Sequence, residues 1–365
     1  MELPRARFES IQALRGVAAC MVASMHCVSA KGGLDHPTDA TFFFVTRLLC
    51  AVGGAGVDIF FVVSGFIIMT IADRPVDGRR LDVAMKFLTR RFLRIYPLYW
   101  ITLVLMLAML GSAGLGGPAL HQLGKWQVWL LTRTQIGLQP PAWSLVFEVW
   151  FYACTAALLL LPQRQFRMGV AVWACLQVVV LCWHLWGGGW PRTPIVAKPQ
   201  VLEFFLGCGV SCVARRYAVG PRVAAVCLAV AAVVFAAGSL RCYVALPKGS
   251  LFDTERLLFY GGPATLLVLA LVSWEWRNHV CVPVWLRRVG DSSYSIYLWH
   301  FPLMSGAVLA VPLGSPGLWP SLPRAMLEFG VTLLVARWSY RLIERPTIRL
   351  GHHLTSRGTA HEAAA

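Results

Sequence analysis

Arg15 and His26 stand eleven residues apart in the segment IQALRGVAACMVASMH. In a helix that spacing makes about three turns, so both side chains share one face, roughly 16 Å apart along the axis. A neutral imidazole takes up a proton near neutral pH, and a guanidinium fork suits phosphate. Three more arginines, Arg90, Arg91 and Arg94, follow in RRFLRIYPLYW, with Arg91 and Arg94 on nearly one helix face. Arg90 reads equally well as a basic anchor at a helix end. Ser144 and Glu148 are four apart in WSLVFEVWFY, with Glu148 roughly 7 Å into its helix. Asp58 in GVDIFF and Glu203 in VLEFF are two further acids among apolar neighbours. Asp58 lies beside Gly53, Gly54 and Gly56, which fits close helix packing, and Glu203 fits a structural counter-ion. Tyr297 and His300 occupy the aromatic segment SYSIYLWHFPL, a stripe that fits packing better than cofactor binding. His300 comes off the cytoplasmic side, so it need not sit beside His26. The segment RLIERP reads as a charged stop before Pro346.

These residues sit in a chain of 365 residues that is 57% hydrophobic and 14% charged, with mean hydropathy +0.62. Soluble domains carry about 25% charged residues, so a water-soluble fold is excluded. Apolar runs near the length of a bilayer crossing cover 11–30, 52–71, 92–111, 143–161, 168–186, 199–214, 222–240, 257–274, 294–312 and 325–343. The fold class is an all-α integral membrane protein with ten transmembrane helices. With the N-terminus inside, roughly two thirds of the loop Lys and Arg fall on the cytoplasmic side, which places both termini in the cytoplasm. Residues 42–51 read as an interfacial or tilted segment. The loop 112–142 is expected to hold a short interfacial helix anchored by Trp126 and Trp129. Residues 1–350 form one transmembrane domain, and 351–365, without apolar period, read as a disordered cytoplasmic tail.

Ionisable groups inside spans are costly and mark functional sites. The net charge of +16 lies in short loops, and no zinc-finger, RNP-like or basic-helix motif occurs, so nucleic acid is not expected as a partner. Most of the eleven cysteines lie in apolar runs without a C-x-x-C pair, which suggests neither a metal site nor a disulfide framework. The first apolar run contains Arg15 and His26, too polar for a signal-peptide core, and is kept as a mature helix.

Taken together in order, IQALRGVAACMVASMH, GVDIFFVVSGFIIM, RRFLRIYPLYW, WSLVFEVWFY, EFFLGCG and SYSIYLWHFPL resemble the membrane-bound acyltransferase 3 family, over roughly residues 8 to 348. Bacterial members include O-acetylases of exopolysaccharide and O-antigen. The resemblance implies transfer of an acyl group, usually acetyl, from cytoplasmic acyl-CoA to a hydroxyl, usually of a sugar. It implies that His26 is essential and that the arginine motifs, here Arg15, Arg91 and Arg94, serve the CoA donor. Glu148 joins His26 as a catalytic candidate, able to fix its tautomer or orient the acceptor. Ser144, Asp58, Glu203, Tyr297 and His300 complete the candidate substrate-binding set. No permanently bound cofactor is expected; the partners are acyl-CoA, a carbohydrate acceptor and the lipid of a bacterial inner membrane. Some relatives carry a soluble hydrolase-like domain, which is not expected after Pro346. A transporter or flippase of lipid-linked sugars is the alternative, although neither paired repeats nor broken helices are seen. Acceptor identity, acyl length and oligomeric state are not written in the sequence.

Overall fold

The structure, a computed structural model, describes residues 8–29, 40–74, 78–112, 125–133, 136–188, 198–217, 219–246, 253–277, 280–309 and 322–362. Among these no strand occurs. Helices α1 (Glu9–Ser29), α2 (Ala40–Gly53), α3 (Ala55–Ala72) and α4 (Arg80–Ser112) come first, followed by the single turn α5 (Trp126–Trp129). Next are α6 (Trp143–Leu159), α7 (Gln163–Trp183), α8 (Gln200–Arg216) and α9 (Pro221–Ala245). The chain continues through α10 (Asp253–Arg256), a π turn (Leu257–Gly261), α11 (Gly262–Trp276), α12 (Val284–Asp291) and α13 (Ser293–Leu309). It closes with α14 (Leu322–Ser339), a second π turn (Tyr340–Glu344) and α15 (Arg345–Glu362).

Seven helical stretches among the described residues are long and apolar enough to cross a membrane. They are α1, α2 with α3, α4, α6, α7, α9, and α10 with α11. The other three expected spans also fall on helices, but on α8, α13 and α14. The first two have 17 residues each, about 26 Å of helix against a hydrocarbon core of about 30 Å. The third carries Arg324, Glu328 and Arg337 within 18 residues. Residues 30 and 310–312, at the ends of two expected spans, lie outside the described residues.

Glycines set the closest approaches. A Cβ on Gly65 would stand 1.9 Å from the Phe204 carbonyl oxygen, and one on Gly207 would stand 2.0 Å from that of Val62. Small residues let helix backbones touch in this way, and here they lock α3 to α8. A Cβ on Gly290 would likewise sit 1.9 Å from the Gln12 carbonyl oxygen, which fixes α12 across α1 beside Arg15. The start of α1 is held by Glu275, which accepts from the backbone N–H of Glu9 at 2.6 Å and of Ser10 at 3.0 Å. A carboxylate at a helix N-terminus satisfies free N–H groups and the helix dipole together.

Residues 42–51 form most of α2, which runs into α3 through Gly54, whose backbone stays helical. In the expected 112–142 loop, residues 113–124 and 134–135 lie outside the described residues. Trp126 is exposed, as an interfacial anchor would be, but other described residues of the loop turn into the protein. Val128, Leu131, Ile136 and Leu138 are buried, and Leu131 adopts φ 52°. Tyr96 and Tyr99 donate to the carbonyls of Leu130 (2.9 Å) and Val128 (2.7 Å), and Trp100 Nε1 donates to Trp129 (3.0 Å). Irregular backbone is tolerated at membrane depth only when buried in protein, and these three donors hold it there. Gln139 ends the segment. Its Nε2 donates to the Leu298 carbonyl at 3.2 Å, the group that Pro302, lacking an N–H, leaves without its helix partner.

Helix α15 takes in residues 351–362. Ile348, Gly351 and Thr355 recur at helical spacing; a Cβ on Gly351 would stand 3.6 Å from Arg90 Cα, and Arg90 Nε donates to Thr355 Oγ1 at 2.8 Å. A search for apolar periodicity misses this face because glycine and threonine make up most of it.

Candidate active site

Three cavities follow one another through the helices. The first, about 420 Å³, lies between α3, α4, α6 and α15, and Lys86, Arg90, Arg91, Arg94 and His352 line it. The second, about 50 Å³, is lined by Arg15, Arg91, Arg94, Ser64, Glu148, Tyr152, Ser144 and Tyr297. The third, about 210 Å³, holds His26, Trp143, Arg256, Tyr260 and again Tyr297. Arg91 and Arg94 are common to the first two, and Tyr297 to the last two.

At the arginine end, α1 delivers Arg15 and α4 delivers Arg91 and Arg94 to one wall. Arg91 lies over the rings of Phe87 and Tyr152, 5.4 and 5.1 Å from their centres. Two carboxylates face the cations. Glu148 accepts from Ser64 Oγ at 3.2 Å and from the Tyr152 hydroxyl. Glu344, buried in the second π turn, accepts from Ser295 Oγ at 2.7 Å and attracts both Arg94 and Arg15. RLIERP is therefore not a surface stop: its glutamate is buried, 3% exposed, and its charge acts on Arg94 and Arg15.

At the other end, His26 Nδ1 lies 2.9 Å from the Val22 carbonyl oxygen. A carbonyl only accepts, so the ring proton sits on Nδ1 and Nε2 keeps its lone pair. The Val22 carbonyl thus sets the tautomer, and Glu148 faces the arginines instead. His300 lies beside His26, with ring centres 5.0 Å apart. The reason is the Gly16–Gly290 crossing. Each histidine stands ten residues beyond its glycine, so two helices leaving that crossing in the same direction bring them to one level. His300 is fully buried behind His26, with Tyr297 5.7 Å from it. The Tyr297 hydroxyl donates to the Pro141 carbonyl and accepts from Ser144 Oγ, 2.7 Å away.

A family model described as an acyltransferase domain, acyltransferase 3, matches residues 8–341. The chain belongs to the acyltransferase 3 family. It is 30% identical over 314 residues to the exopolysaccharide production protein ExoZ of Rhizobium meliloti (strain 1021), covering 82% of this chain and 91% of that protein. It is 28% identical over 378 residues to nodulation protein 10 of Rhizobium leguminosarum bv. viciae, covering 94% of each. The peptidoglycan O-acetyltransferase OatA of Listeria monocytogenes is 24% identical over 333 residues, covering 82% of this chain and 52% of the relative. The chain therefore spans about half the length of that protein. No solved structure matches. The protein is a multi-pass membrane O-acyltransferase.

In this acyltransferase the sequence-selected residues divide. Arg15, Arg91, Arg94, Glu148, Ser144 and Tyr297 share one cavity, and His26 lies in the next. Asp58 and Glu203 are not among the residues lining the three cavities. Asp58, 1% exposed, pairs with Arg256 Nη2 at 2.6 Å, and Glu203 also attracts Arg256. Arg256 immediately precedes the apolar run that begins at Leu257. A helical start at Asp253 and the π turn after it carry this arginine inward. The signal available was Asp58 itself, a buried acid that requires a partner.

Proposed function

We propose that this acyltransferase moves an acetyl group from cytoplasmic acyl-CoA to a hydroxyl of a cell-surface or exported carbohydrate, at the bacterial inner membrane. The observation that carries this reading is the series of cavities, cationic at one end and holding a neutral imidazole at the other. In this reading α8, α13 and α14 also cross, giving ten spans with both termini and the arginine end in the cytoplasm. The excess of basic residues at that end supports the orientation. The names of the relatives, exopolysaccharide production and peptidoglycan O-acetylation, support the acceptor class.

Acyl-CoA is polyanionic at its nucleotide and reactive at the far end of a long arm. Arg15, Arg91 and Arg94 hold the pyrophosphate, with Glu148 and Glu344 fixing their positions, and the arm reaches past Tyr297 to the third cavity. There the acceptor hydroxyl attacks the thioester carbonyl while His26 Nε2 removes its proton. Collapse of the tetrahedral intermediate breaks the C–S bond, and the imidazolium returns the proton to the leaving thiolate. The products are the O-ester and free CoA. His300, neutral and apolar in its setting, packs the imidazole in place.

Purified protein in nanodiscs should release free CoA thiol from acetyl-CoA when a carbohydrate acceptor is present. Surface glycans of cells with and without the protein should differ in O-acetyl content. No thiol release together with identical glycans would contradict the reading. Impermeant labelling of single cysteines at Arg80 and Ser356, against Ser112 and Ala245, tests the orientation; equal labelling on both sides would refute it.

A further inference from the structure

The first cavity is larger than the pyrophosphate requires, and its charged lining is unusual. Among the residues that line it, every ionisable one is basic: Lys86, Arg90, Arg91, Arg94 and His352. About 420 Å³ falls in the range of small-molecule pockets, which run from about 300 to 1,000 Å³. The remaining walls are apolar and include Ile67, Phe87, Leu159 and Ile348. That composition fits a flat base and a ribose flanked by phosphate.

The cations fall into two groups. Arg91 and Arg94 also reach the second cavity, whereas Lys86, Arg90 and His352 line the first alone. Lys86 and Arg94 are eight residues apart on α4, about 12 Å along the axis, too far for one phosphate to bridge. Helix α15 builds the outer group. Gly351 faces the Arg90 backbone, where an added Cβ would make ordinary contact at 3.6 Å, Thr355 takes the Arg90 Nε–H, and the next residue after Gly351 is His352. Arg90 is thereby aimed by its Nε, with its terminal nitrogens left for a ligand. Desolvation, then Arg90 and Arg91, hold the His352 pKa below its ordinary value.

We infer that Lys86, Arg90 and His352 form a second phosphate station that recognises the 3′-phosphate of the donor's adenosine, with α15 as its wall. The inference rests on the acyl-CoA reading and adds to it a subsite, a recognised group and a role for the C-terminal helix. The ligand class is a nucleoside 3′,5′-bisphosphate. Arg91 and Arg94 take the 5′-pyrophosphate deeper in, and the outer station takes the phosphate on the ribose.

The test compares CoA with 3′-dephospho-CoA by equilibrium binding to the full chain in nanodiscs at low salt. CoA should bind roughly ten- to a hundredfold more tightly, the range of one or two charge-assisted hydrogen bonds. Lys86→Ala and His352→Ala should each erase several-fold of that preference while leaving the affinity for 3′-dephospho-CoA unchanged, which also shows that the variants fold. Lys86→Arg should retain the preference. Equal binding of both nucleotides by the unaltered protein, or a preference undiminished in both alanine variants, would overturn the second station alone. Failure to bind either nucleotide would overturn the acyl-CoA reading beneath it.

Discussion

The two ends of the passage solve opposite problems with buried charge. At the arginine end, Arg15, Arg91 and Arg94 face two carboxylates, Glu148 and Glu344, and Lys86 and Arg90 lie just beyond. Positive charge is in excess, and an anion completes it. At the histidine end the balance is reversed: one arginine, Arg256, faces Asp58 and Glu203. There His26 lines the cavity, its Nδ1 held 2.9 Å from a backbone carbonyl. A protein that must hold a polyanion and also move a proton gains by separating the two, because a cluster of cations beside His26 would disfavour its protonated form.

The largest effect should follow from breaking the histidine end. His26→Ala should lower the transfer rate by about 10²–10⁴-fold, the usual contribution of a general base. CoA binding should survive, since the arginines are untouched. Incubation with radiolabelled acetyl-CoA and no acceptor sharpens this point: direct transfer predicts no stoichiometric label on the protein. A label that is lost in His26→Ala and chased onto added acceptor would establish an acyl-enzyme instead.

The Asp58–Arg256 pair tests whether that end's charge is structural. Asp58→Ala or Arg256→Met should each destabilise the protein by about 3–5 kcal/mol, because the remaining charge is stranded in a buried place. Thermal unfolding in detergent would show this. The Asp58→Asn/Arg256→Gln double variant should recover only part of the loss, as the buried Glu203 then loses the attraction of Arg256.

Smaller changes are expected at the arginine end. Arg91→Ala and Arg94→Ala should weaken CoA binding by about 1–3 kcal/mol each, with binding to the unaltered protein weakening as salt is added. Unchanged affinity at low salt would reduce these arginines to membrane anchors. Comparable in size, Gln139→Leu leaves the Leu298 carbonyl beside Pro302 unsatisfied, at a cost of about 1–3 kcal/mol seen in unfolding and not in donor affinity.

The sequence reading reached the helices well, because apolar runs bounded by basic loops are the strongest pattern a chain can carry. All ten expected spans fall on helices, although seven helical stretches meet the length and apolarity of a crossing. Arg15, Arg91, Arg94 and Glu148 were found for a related reason: ionisable groups stand out in an apolar background. What was not legible depends on contacts between distant segments. The meeting of His26 and His300 follows from Gly16 touching α12, 274 residues further along. Glu344 and Arg256 sat at the edges of runs, where one turn decides between loop and interior, and in both cases a π turn shifts that edge. Helix α15 was missed because its packing face is built from Gly351 and Thr355 rather than from large apolar residues.

The division of labour between the two ends is tested most directly by measuring acetyl-CoA affinity and saturated turnover on the same preparations of His26→Ala and Arg94→Ala. Opposite losses are expected. His26→Ala should bind donor like the unaltered protein and turn over at about 10⁻² to 10⁻⁴ of its rate, whereas Arg94→Ala should bind about ten- to a hundredfold more weakly yet recover most of its turnover at saturating donor. If His26→Ala lost donor affinity as severely as Arg94→Ala, or if Arg94→Ala stayed slow at saturation with unchanged affinity, donor binding and proton transfer would not be housed in separate cavities.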